Sequence, residues 1–128
     1  MIYLDTSVVL AQLLAEDVTP PAELWAETLV SSRLLEHEVW TRIHARRLES
    51  SHGDPVRELI GRLALLELAP QVLSRALDSF PVPVRTLDAL HLASAEFLRQ
   101  QGQTIRLASY DDRMRRAAAA LDIDLYPL

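Results

Sequence analysis

Apolar residues fall in short blocks whose period changes along the chain. Ile2-Tyr3-Leu4 is an unbroken apolar run stopped by Asp5, the pattern of a buried strand. Val9, Leu10, Leu13 and Leu14 then recur at helical spacing, predicting a helix over residues 8–14 with Thr6 or Ser7 as its cap. Thr19-Pro20 has the form of a cap followed by proline at the first helical position, so a second helix is expected through Trp25. A strand over 28–31 and a helix from Ser31 or Ser32 to about Glu49 follow. Asp54-Pro55 repeats the cap-plus-proline signal and opens a helix carrying Leu59, Ile60, Leu63 and Leu66. A brief strand over 66–69 stops at Pro70, a short helix covers 71–79, and Pro81 and Pro83 mark a loop. Thr86 caps a long helix that Gly102 terminates after Gln101. A strand over 105–109, an alanine-rich helix over 112–121 and an edge strand over 124–126 complete the pattern.

This alternation predicts an α/β fold: a mostly parallel sheet of four or five short strands, covered by helices on both faces. No repeat, low-complexity tract or linker interrupts residues 1–128, so a single domain is expected. In such sheets functional sites gather beyond the carboxyl ends of the strands.

Composition narrows the chemistry. The chain has 128 residues, 49% hydrophobic and 24% charged, ordinary values for one globular domain. No apolar run approaches the ~20 residues of a membrane span, and the N-terminus has no basic stretch like that of a signal peptide, so a cytoplasmic protein is expected. Cysteine is absent, which excludes disulfides and thiolate metal sites. The formal net charge is -5, opposite to that of a protein gripping nucleic acid by phosphate neutralisation alone. All 13 basic residues are arginine, so any mechanism requiring an ammonium group is ruled out.

The acids occupy telling positions. Asp5 ends the first strand, and Asp111 and Asp112 follow the strand over 105–109. Glu36 and Glu38 lie in the first two turns of the helix after the second strand, and Asp88 lies in the first turn of the helix from Thr86. Four segments thus send carboxylates toward one sheet edge. Converging carboxylates raise one another's pKa unless a cation joins them, and an all-oxygen cluster suits Mg²⁺ or Mn²⁺. Such an ion can activate a water for attack on a phosphodiester. Simpler roles exist for each acid: Asp88 and Asp112 complement a helix dipole, Glu38 pairs with Arg42 at i,i+4, and Asp5 caps a helix. Asp5 is the hardest to explain that way, because an aspartate ending a buried strand is costly unless paired or coordinated.

Four segments resemble the ordered motifs of PIN-domain proteins, in particular the toxin ribonucleases of VapBC toxin–antitoxin systems. Leu4-Asp5-Thr6-Ser7-Val8-Val9 resembles the opening motif, and Ser31-Ser32-Arg33-Leu34-Leu35-Glu36-His37-Glu38-Val39 the second. Arg85-Thr86-Leu87-Asp88-Ala89-Leu90-His91-Leu92-Ala93 resembles the third, which is the most specific, and Ser109-Tyr110-Asp111-Asp112-Arg113-Met114 the fourth. The resemblance spans essentially the whole chain. It implies a three-layer α/β/α sandwich, a Mg²⁺- or Mn²⁺-dependent endoribonuclease, a VapB-like antitoxin partner and a homodimer. Carried over by position, it implies Asp5, Glu38, Asp88 and Asp111 as the acidic quartet, with Asp5, Asp88 and Asp111 toward the metal. Glu36 is the alternative to Glu38, and Asp112 the alternative to Asp111. Thr6 is an accessory candidate, and Ser109 stands where the family often has threonine.

Arg85, Arg113, Arg115 and Arg116 flank these acids and are candidates for RNA phosphate contacts, or else members of solvated helix faces. Trp25 and Trp40 are either core residues or antitoxin anchors. His91 shares a helical face with Asp88 and suits either acid–base work or local packing. Among other functions, a phosphoacceptor receiver or a haloacid-dehalogenase-like phosphatase needs a lysine, and none exists. A nucleotide-binding loop needs clustered glycines, and the three present are scattered. A non-catalytic PIN-like binding module, or a PIN nuclease outside a toxin–antitoxin pair, remains as the alternative.

Overall fold

A computed structural model describes residues 1–128 and places five strands in one sheet of order β3-β2-β1-β4-β5. The strands are β1 (Ile2–Leu4), β2 (Leu29–Ser32), β3 (Ala64–Leu66), β4 (Arg106–Ala108) and β5 (Asp124–Leu125). All four neighbouring pairs run parallel, so the expected mostly parallel sheet is parallel throughout. Six α-helices connect them: α1 (Thr6–Leu14), α2 (Arg33–Ala45), α3 (Glu49–Gly61), α4 (Pro70–Leu77), α5 (Thr86–Gln100) and α6 (Asp112–Ala120).

The helices lie on both faces because strand side chains alternate. Ile2 and Leu4 join Leu29 in a core built with Val8, Val9, Leu35, Val39, Ile43, Val56 and Leu59 from α1, α2 and α3. Tyr3, Val30 and Leu107 face the other way, onto Leu92, Ala95, Met114 and Ala117 of α5 and α6. Leu35, Val39 and Ile43 recur at i and i+4 and are wholly buried, so α2 is held by one apolar stripe. Truncating Ile43 to alanine costs about 2–5 kcal/mol at such a site.

β1 is the hinge of the topology. The chain proceeds to β2 and β3 on one side of it, then returns to place β4 and β5 on the other. The helices that follow these two parallel strands leave for opposite faces of the sheet, α1 to one and α6 to the other, which opens a crevice beyond their carboxyl ends. Asp5 and Ser109 stand at that boundary.

Several elements differ from the pattern. The expected helix from Thr19-Pro20 is only a 3₁₀ turn over Ala22–Ala26. The long helix through Glu49 breaks after Ala45, with Arg47 at a φ of 54°. α3 begins at Glu49, so Pro55 lies inside it and Asp54 is not its cap; the Asp54 carboxylate instead meets Arg57 at 2.9 Å. Burial of Val56, Leu59 and Ile60 outweighs the backbone bond lost at the proline. β3 ends at Leu66 rather than beginning there, and Arg85, not Thr86, holds the cap position of α5. No helix is long and apolar enough to cross a membrane.

Candidate active site

Asp5 occupies the N-cap position of α1, yet its side chain makes no capping bond. Oδ2 instead accepts hydrogen bonds from Ser109 Oγ at 2.7 Å and Ser7 Oγ at 2.8 Å. The carboxylate is 7% exposed, so these two hydroxyls replace water on one oxygen. The same serines lace the β1 and β4 corners together: Tyr110 N donates to Ser7 Oγ, and Asp111 N donates to Ser109 Oγ, both at 3.0 Å. Arg115 braces the corner from behind, donating to the Ser109 carbonyl at 3.1 Å.

Asp111, by contrast, is exposed and does cap its helix. Its Oδ1 accepts from the backbone of Arg113 at 2.9 Å and, more weakly, of Met114 at 3.5 Å. Asp88 is half-buried in the first turn of α5. Partial burial, followed by the charges of Asp111 and Asp5, holds its carboxyl above the usual range, against a lowering bond from the Arg85 backbone. Asp5, Asp88 and Asp111 therefore share one electrostatic neighbourhood, although they come from α1, α5 and α6 corners far apart in sequence.

Glu38 reaches the same edge from the second turn of α2. Its Oε1 accepts from Thr6 Oγ1 at 2.7 Å and from His91 Nε2 at 2.5 Å. His91 is 1% exposed, and its Nδ1 meets the Tyr3 hydroxyl at 2.8 Å. Burial is the largest influence on this imidazole and lowers its pKa, but Tyr3, the bond to Glu38 and the charge of Asp5 together hold it above its ordinary value.

The residues named as alternatives separate. Glu36 does not join the cluster; it pairs with Arg33 at 3.0 Å, and Arg33 also holds Glu67 at 2.8 Å. Asp112 is exposed in the first turn of α6, where only its backbone carbonyl is engaged, by Arg116 Nε at 3.4 Å. Arg85 and Arg113 are exposed and form none of the chain's ion pairs. Trp25 and Trp40 are half-buried against the α1–α3 side of the core; Trp40 stacks on His44 with centroids 5.7 Å apart, and Trp25 Nε1 is buried without a partner.

Sequence reasoning missed two contributors. Ser7 was read only as a cap, yet its hydroxyl holds Asp5. Tyr3 was read only as part of an apolar strand. A signal existed, since a buried tyrosine hydroxyl needs a partner, but nothing local named His91, 88 positions away, as that partner.

The donor set suits a hard divalent cation. It is entirely oxygen from carboxylates and hydroxyls, and the mutual repulsion registered at Asp88 is what a cation would relieve. No three of these acids already stand in a chelating arrangement.

Residues 2–120 match the sequence profile of the PIN domain. The chain is similar to Ribonuclease VapC46 of Mycobacterium tuberculosis (strain ATCC 25618 / H37Rv), 35% identical over 94% of this chain and 92% of that protein. Ribonuclease VapC35 of Mycobacterium tuberculosis (strain CDC 1551 / Oshkosh) is 32% identical over 96% of this chain and 93% of its own length. Ribonuclease VapC47 of the same strain is 30% identical over 89% of this chain and 87% of that protein.

Proposed function

Because the chain belongs to the PIN-domain family, we propose that it is a Mg²⁺- or Mn²⁺-dependent endoribonuclease, the toxin of a type II toxin–antitoxin pair. Its relatives are named as VapC ribonucleases over nearly their whole length, which supports the reading. The observation that carries it is the gathering of Asp5, Asp88 and Asp111 at the one sheet edge where the topology opens a crevice, where burial first and then the charges of Asp111 and Asp5 hold the Asp88 carboxyl above its usual range.

In this reading Asp5, Asp88 and Asp111 hold the cation, which supplies charge neutralisation and an activated water. The hydroxyls of Ser7 and Ser109 occupy Asp5 Oδ2, leaving Oδ1 for the crevice. Glu38 orients the attacking water and takes up its proton, because its Oε2 has no protein donor. Arg85, Arg113 and Arg116 approach phosphates around the crevice; without the cation, an acidic chain with few such arginines binds RNA weakly. A VapB-like antitoxin covers the site or the nearby helices, with Trp25 and Trp40 as candidate anchors, and the active unit is a homodimer.

Total bacterial RNA incubated with the purified chain tests this. Cleavage should require Mg²⁺ or Mn²⁺, stop with chelator and vanish in Asp5→Asn. Cleavage that persists in excess chelator overturns the metal-dependent reading.

A further inference from the structure

Glu38 is a long, flexible side chain whose placement is set from outside its own helix. α2 belongs to the layer on one face of the sheet, and α5 to the layer on the other. His91 spans the two at the carboxyl edge: its imidazole touches Tyr3 of β1, Thr6 of α1 and Glu38 of α2. Tyr3, Thr6 and His91 are all buried, while the Glu38 side chain is 22% exposed. One group therefore lies at the crevice, and its three supports lie behind it.

The hydrogen bonds dictate the protons. Next to a carboxylate, His91 Nε2 must carry a proton to donate. Nδ1 meets the Tyr3 hydroxyl, which accepts from it when the ring is protonated and donates to it when the ring is neutral, so in both states Tyr3 fixes the ring with Nε2 toward Glu38. Thr6 Oγ1 donates to Glu38 and receives a longer approach from His91 Nε2 at 3.3 Å. Both donors to Glu38 land on Oε1, so Oε2 is the oxygen left for the crevice. Glutamate loses much rotamer freedom when fixed, and two donors on one oxygen supply that restraint.

We propose that His91 is a positioning residue: locked by Tyr3 and sharing one carboxylate oxygen with Thr6, it holds Glu38 so that its second oxygen faces the reacting phosphodiester. This rests on the reading of Glu38 as a working acid of the nuclease. It assigns the aspartate-plus-three histidine of α5 a task that neither acid–base contact with substrate nor simple packing describes.

The test is a set of variants measured on a fluorescent RNA oligonucleotide cut by the wild-type chain in Mn²⁺, with melting temperatures in parallel. His91→Leu should lower kcat ~100-fold with KM within about twofold, the scale of losing a partner that orients a functional group. His91→Gln, whose amide can still donate to Glu38, should recover most of that loss, whereas the shorter His91→Asn should not. Tyr3→Phe should lower kcat about 3- to 10-fold. In a Glu38→Gln background, His91→Leu should change the rate less than about twofold, because the group it positions is already gone. Multiplying losses in that double variant would overturn the proposal, as would a His91→Leu protein with wild-type kcat beside an inactive Glu38→Gln. If His91→Leu does not fold, the Gln and Asn variants decide: equal rates for the two overturn it. A fully active Glu38→Gln instead defeats the underlying reading of Glu38.

Discussion

Two corners of this molecule begin alike and end differently. Asp5 follows β1 and Asp111 follows shortly after β4, each at the N-cap position of the next helix and each beside the same crevice. Asp111 does what that position favours: it accepts backbone amides of α6 and stays in solvent. Asp5 leaves the α1 amides alone and is buried under two serine hydroxyls. The residue type and location are the same, so the difference comes from the surroundings. Ser109 and Ser7 offer Asp5 donors that its own helix would otherwise provide, and they fix it for a purpose other than capping. Position in a fold thus nominates a residue for function, while its hydrogen-bond partners tell whether the helix already accounts for it.

The contrast can be broken most directly at Asp5. Asp5→Asn should reduce RNA cleavage by at least ~10³-fold, about 4 kcal/mol of transition-state stabilisation. Circular dichroism should show the fold intact, because asparagine still accepts the two serine hydroxyls. Cleavage within tenfold of wild type would place Asp5 on the structural side of the comparison.

Asp88 sharpens it next, since activity and stability should move in opposite directions. Asp88→Asn should lose about 100-fold in cleavage. Its raised carboxyl pKa means that folding favours the protonated form. That contribution is fully present below ~pH 4 and disappears as pH rises through the raised value. At neutral pH the ion-free Asp88→Asn protein should therefore melt higher, by about 1–2 °C given solvent screening at a half-exposed group. An unchanged melting temperature together with unchanged activity would remove Asp88 from the cluster.

Asp111 should show its double duty through paired substitutions. Asp111→Ala should lose ~1 kcal/mol of stability with the cap, a drop of about 4 °C, whereas Asp111→Asn keeps the cap and the melting temperature. Both should cut more slowly by about tenfold. Equal stability of the two variants would show that the cap at α6 contributes nothing. The smallest effect is expected at Glu36, whose exposed pair with Arg33 is worth less than about 1 kcal/mol; Glu36→Gln should cleave and melt like wild type.

The fold was legible wherever local pattern and packing agree. The run Ile2-Tyr3-Leu4, the stripe Leu35, Val39 and Ile43, and the cap at Ser32, which accepts from Leu34 N at 3.1 Å, all speak through neighbours in sequence. Asp54-Pro55 spoke just as clearly and misled, because the burial of Val56, Leu59 and Ile60 carries α3 through the proline. In the candidate site, the positions of Asp5, Glu38, Asp88 and Asp111 along the chain suggested one edge. The resemblance favours Glu38 over Glu36, but the physical difference between them was not readable. The two differ by less than a helical turn, and only the partners across space, His91 and Thr6 against Arg33, tell them apart. The Tyr3–His91 contact was hidden for the same reason.

The central place of β1 also bears on when the acidic edge assembles during synthesis. Ser109 reaches Asp5 across 104 positions, and His91 reaches Thr6 across 85. Contacts between such remote positions form late and slowly, and the Ser109–Asp5 bond is absent from any fragment that stops short of β4. A nascent chain whose residues up to α5 have left the ribosome carries three of the four acids, but only Ser7 of the two serines that clasp Asp5. The gathering of all four acids at one edge thus waits until the β4 corner has emerged, near the end of synthesis.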